Sequence, residues 1–546
     1  MSASDAPATA HLFRGARVFT PDPAPVGHDS VATIGDRIVA VGTEEQCRAA
    51  LAGSPVTPVE HDLRGRSIVP GFIDAHTHPM VMSVFEVHLS FDHCRSVADV
   101  LDAVADSARA TEGSTDAVIG FQLDDLLLAE RRMPTGDELD AAGDGRPVVL
   151  IRRDGHHAVA SSSAIVSAGL ADPANVVAGG YVERDEHGNP TGLVGERSVA
   201  DLLALVPAAT MESLEDGRAR WTERMVRQGI TAISAICQTT VEGPSGPAGE
   251  MEAVAWADLA RRVPFDVQTI LIAPELSVVD DFRALPSLHS PRNGRRVDAV
   301  KLFLDGTLGG ASACMHSPFS DRSHTSGMRT LGDDDAYSRM EAAHLAGLQV
   351  CIHAIGDRAN RDAADLFARL LTAHPGPHRH RVEHASVLDD RTVELFATHQ
   401  ITCVTQPISL RSEAHWLRAR IGDQRLPHAY RHRTLIDAGV PLAGSSDAPI
   451  EDTDVLAAID AAVDRRGLAD EQAITAVEAL RAYTLGGSAA RSTETELGSL
   501  SAGHRADVVV LDGDLATARP ASLAVAATYI GGVEHHRDPA TFPARG

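Results

Sequence analysis

From Ser67 onward, short apolar runs that read as strands alternate with Ala- and Leu-rich stretches that read as helices. The strand-like runs include RSIVPGFIDAH, AVKLFLD, LQVCIHAIGD, RHRVEHASV, QITCVTQP and VPLAGSSD. Between LQVCIH and RHRVEH lies DRANRDAADLFARLLTAH, whose apolar residues recur at helical spacing. This alternation implies an α/β fold with a parallel sheet covered by helices. So many units favour a closed (β/α)8 TIM barrel over an open sheet.

The flanks read differently. HLFRGARVFT and DSVATIGDRIVAVG near the start, and ADVVVLDGDL and AVAATYIGGVEHH near the end, are short strands bounded by Gly, Pro or Asp. Such strands cannot bury their faces alone. A composite β-sandwich from residues 1–66 and 491–546 is therefore expected beside a barrel spanning 67–490. A βα unit takes ~30–40 residues, so three units fill only about half of the stretch from His76 to Lys301. The excess is expected as an inserted cap region around 84–195. It contains GGYVERDEHGNPTGLVGE, which reads as a hairpin with a His-Gly-Asn turn.

Charge and cysteine content narrow the function. The net charge of −26 argues against nucleic acid or an anionic membrane as partner, since both need a basic face. No apolar run approaches the ~18 residues of a membrane helix. The first residues, MSASDAPATAH, lack the basic and apolar regions of a signal peptide. The six cysteines are scattered with no CxxC pair, so neither a disulfide framework nor a zinc ribbon is expected. A cytoplasmic protein acting on a small molecule fits these features, and a homodimer is compatible with them.

The chemistry sits at strand ends. IVPGFIDAHTHP is an apolar strand ending in His76-Thr77-His78. Side chains two apart share a face, so both imidazoles can meet one metal ion. Lys301, His353, His384 and Asp447 each follow a short apolar run and precede a loop containing Gly, Ser or Ala. Catalytic groups of a barrel gather at that end of the strands. Neutral imidazoles with a carboxylate suit zinc or a similar divalent ion. Lys301 paired to a carboxylate such as Asp305 is an alternative that would leave a one-metal site.

On these motifs the chain resembles the amidohydrolase superfamily of metal-dependent hydrolases, and within it the YtcJ-like branch that includes N-substituted formamide deformylases. The shared stretches include PGFIDAHTHP, RDGHHAVASS, VKLFLDGTLGG, IHAIGDRANRDA, RVEHASVL and DAGVPLAGSSDAPIEDTDVL. The resemblance implies His76 and His78 as ligands of the more buried metal. It implies one or two zinc ions, with Lys301 as a CO2-derived carbamate in the position that bridges two metals and His353 and His384 as the next ligands. Asp447 would bind the buried metal and handle the proton. His156 would face the substrate, and Gln122 and Gln406 are further substrate-side candidates. The chain departs from the family at Gly120-Phe121-Gln122 and at Gly229–Ala235, and it carries Ser445 where a bulkier residue is common. The implied reaction is hydrolysis of an amide-type C–N bond in an N-acyl or N-formyl amine. Deamination, cyclic-amide opening or a lyase step on the same site is the alternative, and a non-catalytic binding protein is the remotest reading.

Overall fold

A computed structural model describes residues 9–19, 28–91, 93–110, 116–125, 127–153, 155, 157–176, 180–196, 198–206, 209–243, 245–290 and 294–542. The chain divides into two compact units, Met80–Trp221 and the remainder.

The larger unit holds an eight-stranded parallel sheet in sequential order. Its strands are β1 (Phe72–Thr77), β2 (Ile230–Gln238), β3 (Asp266–Ile272), β4 (Arg295–Phe303), β5 (Gln349–Ala354), β6 (Arg381–His384), β7 (Thr402–Thr405) and β8 (Leu442–Gly444). Every residue of β2 and β3 is buried, as expected for strands covered on both faces. Just past β8 the sheet closes on β1. There the Asp447 N–H donates to the His76 carbonyl (2.9 Å) and the His78 N–H to the Ala448 carbonyl (2.8 Å). The helix Asp357–Ala373, between β5 and β6, buries Ala359, Ala363, Phe367 and Leu370 along one stripe. This is the expected TIM barrel.

The same unit contains a second, smaller core. A four-stranded sheet comes from residues before Leu63, and a five-stranded sheet draws on both ends of the chain. In the latter, Ser67–Pro70 pairs antiparallel with Val508–Leu511. Phe13, Val31, Leu63, Ile68, Val508, Val510 and Tyr529 fill one shared apolar cluster.

The second unit carries a six-stranded sheet of its own. It takes Met80–Trp221, more than the 84–195 expected for the insertion. Its two ends are tied together, the Trp221 indole N–H donating to the Ser83 hydroxyl at 2.9 Å. Gly180–Arg184 and Pro190–Glu196 pair antiparallel across the turn. There the Asp185 carboxylate accepts from the His187 and Asn189 amides, and Gly188 takes a φ of 84°.

Among the described residues, all six cysteines are buried free thiols and no helix is long and apolar enough to cross a membrane. One buried group is costly. His432 has no exposed surface, and neither ring nitrogen has a hydrogen-bond partner among the described residues. Burial, with the Arg465 charge nearby, pushes its pKa from 6.5 down to about 3. Below pH 6.5 the unfolded chain takes up a proton that the folded chain refuses, so this group lowers stability as pH falls from 6.5 toward 3. His432→Leu removes an unpaired polar ring and should stabilise the fold by about 1–3 kcal/mol at neutral pH, with a larger gain at pH 5. Denaturant melts at both pH values check this; a variant weaker than the parent at both would refute it.

Candidate metal centre

The six strand-end residues converge at one end of the barrel. His76 and Asp74 lie two apart on β1. The His76 Nε2 and the His78 Nε2 each sit 3.1 Å from Asp447 Oδ1. The His76 and His384 ring centres are 5.1 Å apart, and those of His384 and His353 are 4.5 Å apart. Lys301 Nζ stands 5.3 Å from the Phe303 ring, whose centre is 5.2 Å from that of His353. His76, His384 and Asp447 offer ligand atoms within 4.8 Å of one another.

Each buried ring is held from behind. His76 Nδ1 lies 2.6 Å from Glu383 Oε2, and Arg381 Nε donates to the other Glu383 oxygen at 2.5 Å. His353 Nε2 donates to the Gly306 carbonyl at 3.0 Å. His384 Nδ1 lies 3.0 Å from Gln406 Oε1, and Gln406 Nε2 donates to the Ser445 hydroxyl at 2.8 Å. A carboxylate or a carbonyl can only accept, so His76 donates from Nδ1 to Glu383 and His353 from Nε2 to Gly306. Partners of this kind orient metal-binding imidazoles.

Burial sets the protonation states. It pushes His384 down to about 3 and His353 well below 6.5, which keeps both imidazoles neutral. Burial alone would raise the Asp447 carboxyl, but the His76 and His78 rings beside it hold it well below the usual range. Glu383 is likewise held ionised against burial by Arg381, with the His76 ring bonded to its other oxygen. Burial pushes Asp74 up to about 6, although its Oδ1 accepts the Ser446 and His76 amides.

Lys301 decides whether the cluster suits a metal. It is 2 % exposed, and Nζ has no hydrogen-bond partner among the described residues. Burial lowers its pKa, which favours the neutral amine. The alternative pairing with Asp305 does not form. Asp305 instead accepts the backbone N–H groups of Gly356 (2.8 Å), Cys314 (2.9 Å) and Ile355 (3.1 Å). An orphaned amine among neutral imidazoles and a carboxylate fits a metal-binding carbamate, so the donor set suits a divalent ion.

The substrate-side candidates fare differently. Gln406, expected to face substrate, is 3 % exposed, and its amide is engaged by His384 and Ser445. Gln122 belongs to the second unit, on the strand Val118–Leu123, at a φ of 64°. His156 lies outside the described residues. Glu383 is a site residue that the sequence does not single out. Alternation along a strand puts neighbours on opposite faces, so Glu383 and His384 should diverge. Positive φ at His384 (71°) and Ala385 (47°) breaks that alternation, and both side chains reach His76. A non-glycine residue held there stores about 1–3 kcal/mol of strain, as functional sites often do.

Comparison with known proteins agrees with this geometry. Residues 59–535 match the amidohydrolase family. The chain is 30% identical over 484 residues to YtcJ of Bacillus subtilis (strain 168), covering 86% of this chain and 88% of that one. It is 29% identical over 549 residues to N-substituted formamide deformylase of Arthrobacter pascens, covering 96% and 97%. Among solved structures, an uncharacterized metal-dependent hydrolase from Pyrococcus furiosus superposes with a TM-score of 0.72 at 26% identity, over 93% of this chain and 100% of that one.

Proposed function

Given that the chain belongs to the amidohydrolase family, we propose that it hydrolyses the amide-type C–N bond of a small N-acyl or N-formyl amine. The observation that carries this reading is the set of buried neutral imidazoles around an ionised Asp447, beside an unpartnered Lys301 amine. Relatedness to a formamide deformylase supports the choice of bond.

His76, His78, His353, His384 and Asp447 would hold one or two divalent ions, and zinc suits these nitrogen and oxygen donors. Such an ion supplies a polarised carbonyl and water of pKa near ~7. The chain's own residues do the rest. Asp447, ionised at neutral pH, accepts the proton of the attacking water and returns it to the leaving nitrogen. Burial pushes Lys301 toward its neutral form, in which it would add CO2 through a new N–C bond with release of one proton, and the carbamate would serve as an anionic oxygen donor. Glu383, Gly306 and Gln406 keep the rings aimed. The buried free thiols suit a reducing cytoplasm.

A panel of N-formyl and N-acyl amines, read by released amine together with carboxylate, tests the reaction. Turnover should vanish on exhaustive chelation and return with zinc. Ammonia without a carboxylate would redirect the reading to deamination, and full turnover in metal-free protein would overturn it. A crystal structure of the zinc-loaded enzyme should show three extra atoms on Lys301 Nζ.

A further inference from the structure

The three buried imidazoles are oriented by partners of different kinds. Glu383 and the Gly306 carbonyl are fixed acceptors, whichever way they turn. Gln406 is not, because a side-chain amide presents an acceptor at one end and a donor at the other. Inverted, it would offer N–H to His384 Nδ1 and force the ring proton onto Nε2. Something must hold the amide in one sense.

We infer that Ser445 and Gln406 form a directional relay that fixes the tautomer of His384 and so positions its Nε2 lone pair for a metal ion. This rests on the metal-centre reading of the same cluster. The relay starts at a backbone carbonyl. The Ser445 hydroxyl donates its only proton to the Thr405 carbonyl at 3.1 Å. Toward Gln406, 2.8 Å away, it can then only accept, so it takes the amide N–H. That turns Oε1 toward His384 Nδ1 at 3.0 Å, which must be the protonated nitrogen. A neutral imidazole has one N–H, so Nε2 is left with its lone pair. The relay is dry and anchored: Ser445 has no exposed surface, and its carbonyl accepts the Tyr483 hydroxyl at 3.0 Å. Ser445 and Gln406 are thus positioning residues that act through His384.

The test is zinc titration of the metal-stripped full chain, with a chelating dye as competitor. Gln406→Leu removes the acceptor and should weaken zinc binding by ~10–100-fold, the usual cost of losing such a partner. Gln406→Glu accepts at both ends and should stay within a few-fold of the parent. Ser445→Ala should cost affinity with Gln406 in place, and little in combination with Gln406→Glu. A purely structural serine would cost the same in both backgrounds, and that equality would overturn the relay, as would parental affinity in a folded Gln406→Leu protein. The nitrogen-15 spectrum of the metal-free parent is a second readout that needs no variant to fold. It should show His384 protonated on Nδ1, and protonation on Nε2 overturns the relay. A parent that takes up no zinc but shows the Nδ1 tautomer defeats the metal reading and leaves the relay standing.

Discussion

Asp447→Asn should lower kcat by about 10²–10⁴-fold, the usual cost of losing a general base, while bound metal falls far less. The substitution is chosen for its geometry. Asp447 sits at a φ of 60°, a region that Asn tolerates as Asp does. Its backbone N–H to the His76 carbonyl, and its carbonyl to the Ile450 N–H, are untouched by the change. The variant therefore keeps the closure of the barrel and offers one amide oxygen where the carboxylate stood. What it loses is the capacity to take a proton. Were Asp447 only a loop cap, Asn would lose some stability and turn substrate over nearly as fast. Measuring kcat and metal content on one sample separates the two, and near-parental kcat with intact metal would remove Asp447 from the mechanism.

The second large effect comes from the paired histidines. Replacing both His76 and His78 with Ala should remove the ion between them and reduce activity to background. The single variants should then part company in stability. His76 is buried and caps Glu383, so His76→Ala leaves one carboxylate oxygen without its partner in a dry interior. Breaking one side of such a buried charged network costs ~3–5 kcal/mol. His78 is half-buried, and its Nε2 lies 3.1 Å from Asp447 Oδ1. His78→Ala should thus lose metal with little change in the melting of the metal-free protein. Metal analysis and melting curves on both variants check this, and full activity in the double variant would refute the assignment.

Much of this architecture is legible in the sequence. The barrel can be read because its strands are short apolar runs at regular intervals, and the ligand types can be read because each ends such a run. Lys301, His353 and His384 fall on β4, β5 and β6 in that order, as the spacing requires. What cannot be read depends on local departures from regular geometry. Glu383 is hidden by the very alternation that reveals His76 and His78, since only positive φ at His384 turns two neighbours inward. Gln406 reads as a substrate-side candidate, because sequence does not say where a side-chain amide points, and the structure turns it onto His384 and Ser445. The inserted unit, Met80–Trp221, is larger than its sequence suggests: Trp221 bonds Ser83 across its two ends, a tertiary contact that no composition change marks.

The composite sheet also imposes an order on biosynthesis. Ser67–Pro70 leads almost directly into β1, yet its partner Val508–Leu511 is made only after every barrel strand. While the ribosome is still translating the barrel, Ile68 and Val69 have no strand at one edge and no apolar cover from Val508 and Val510. Such pairings are slow, because a long loop must close before any contact rewards it. A nascent chain stalled in the last barrel strands carries an open, apolar edge of the kind that aggregates. Completion of this sheet thus acts as a seal, applied only when the whole catalytic barrel has been delivered.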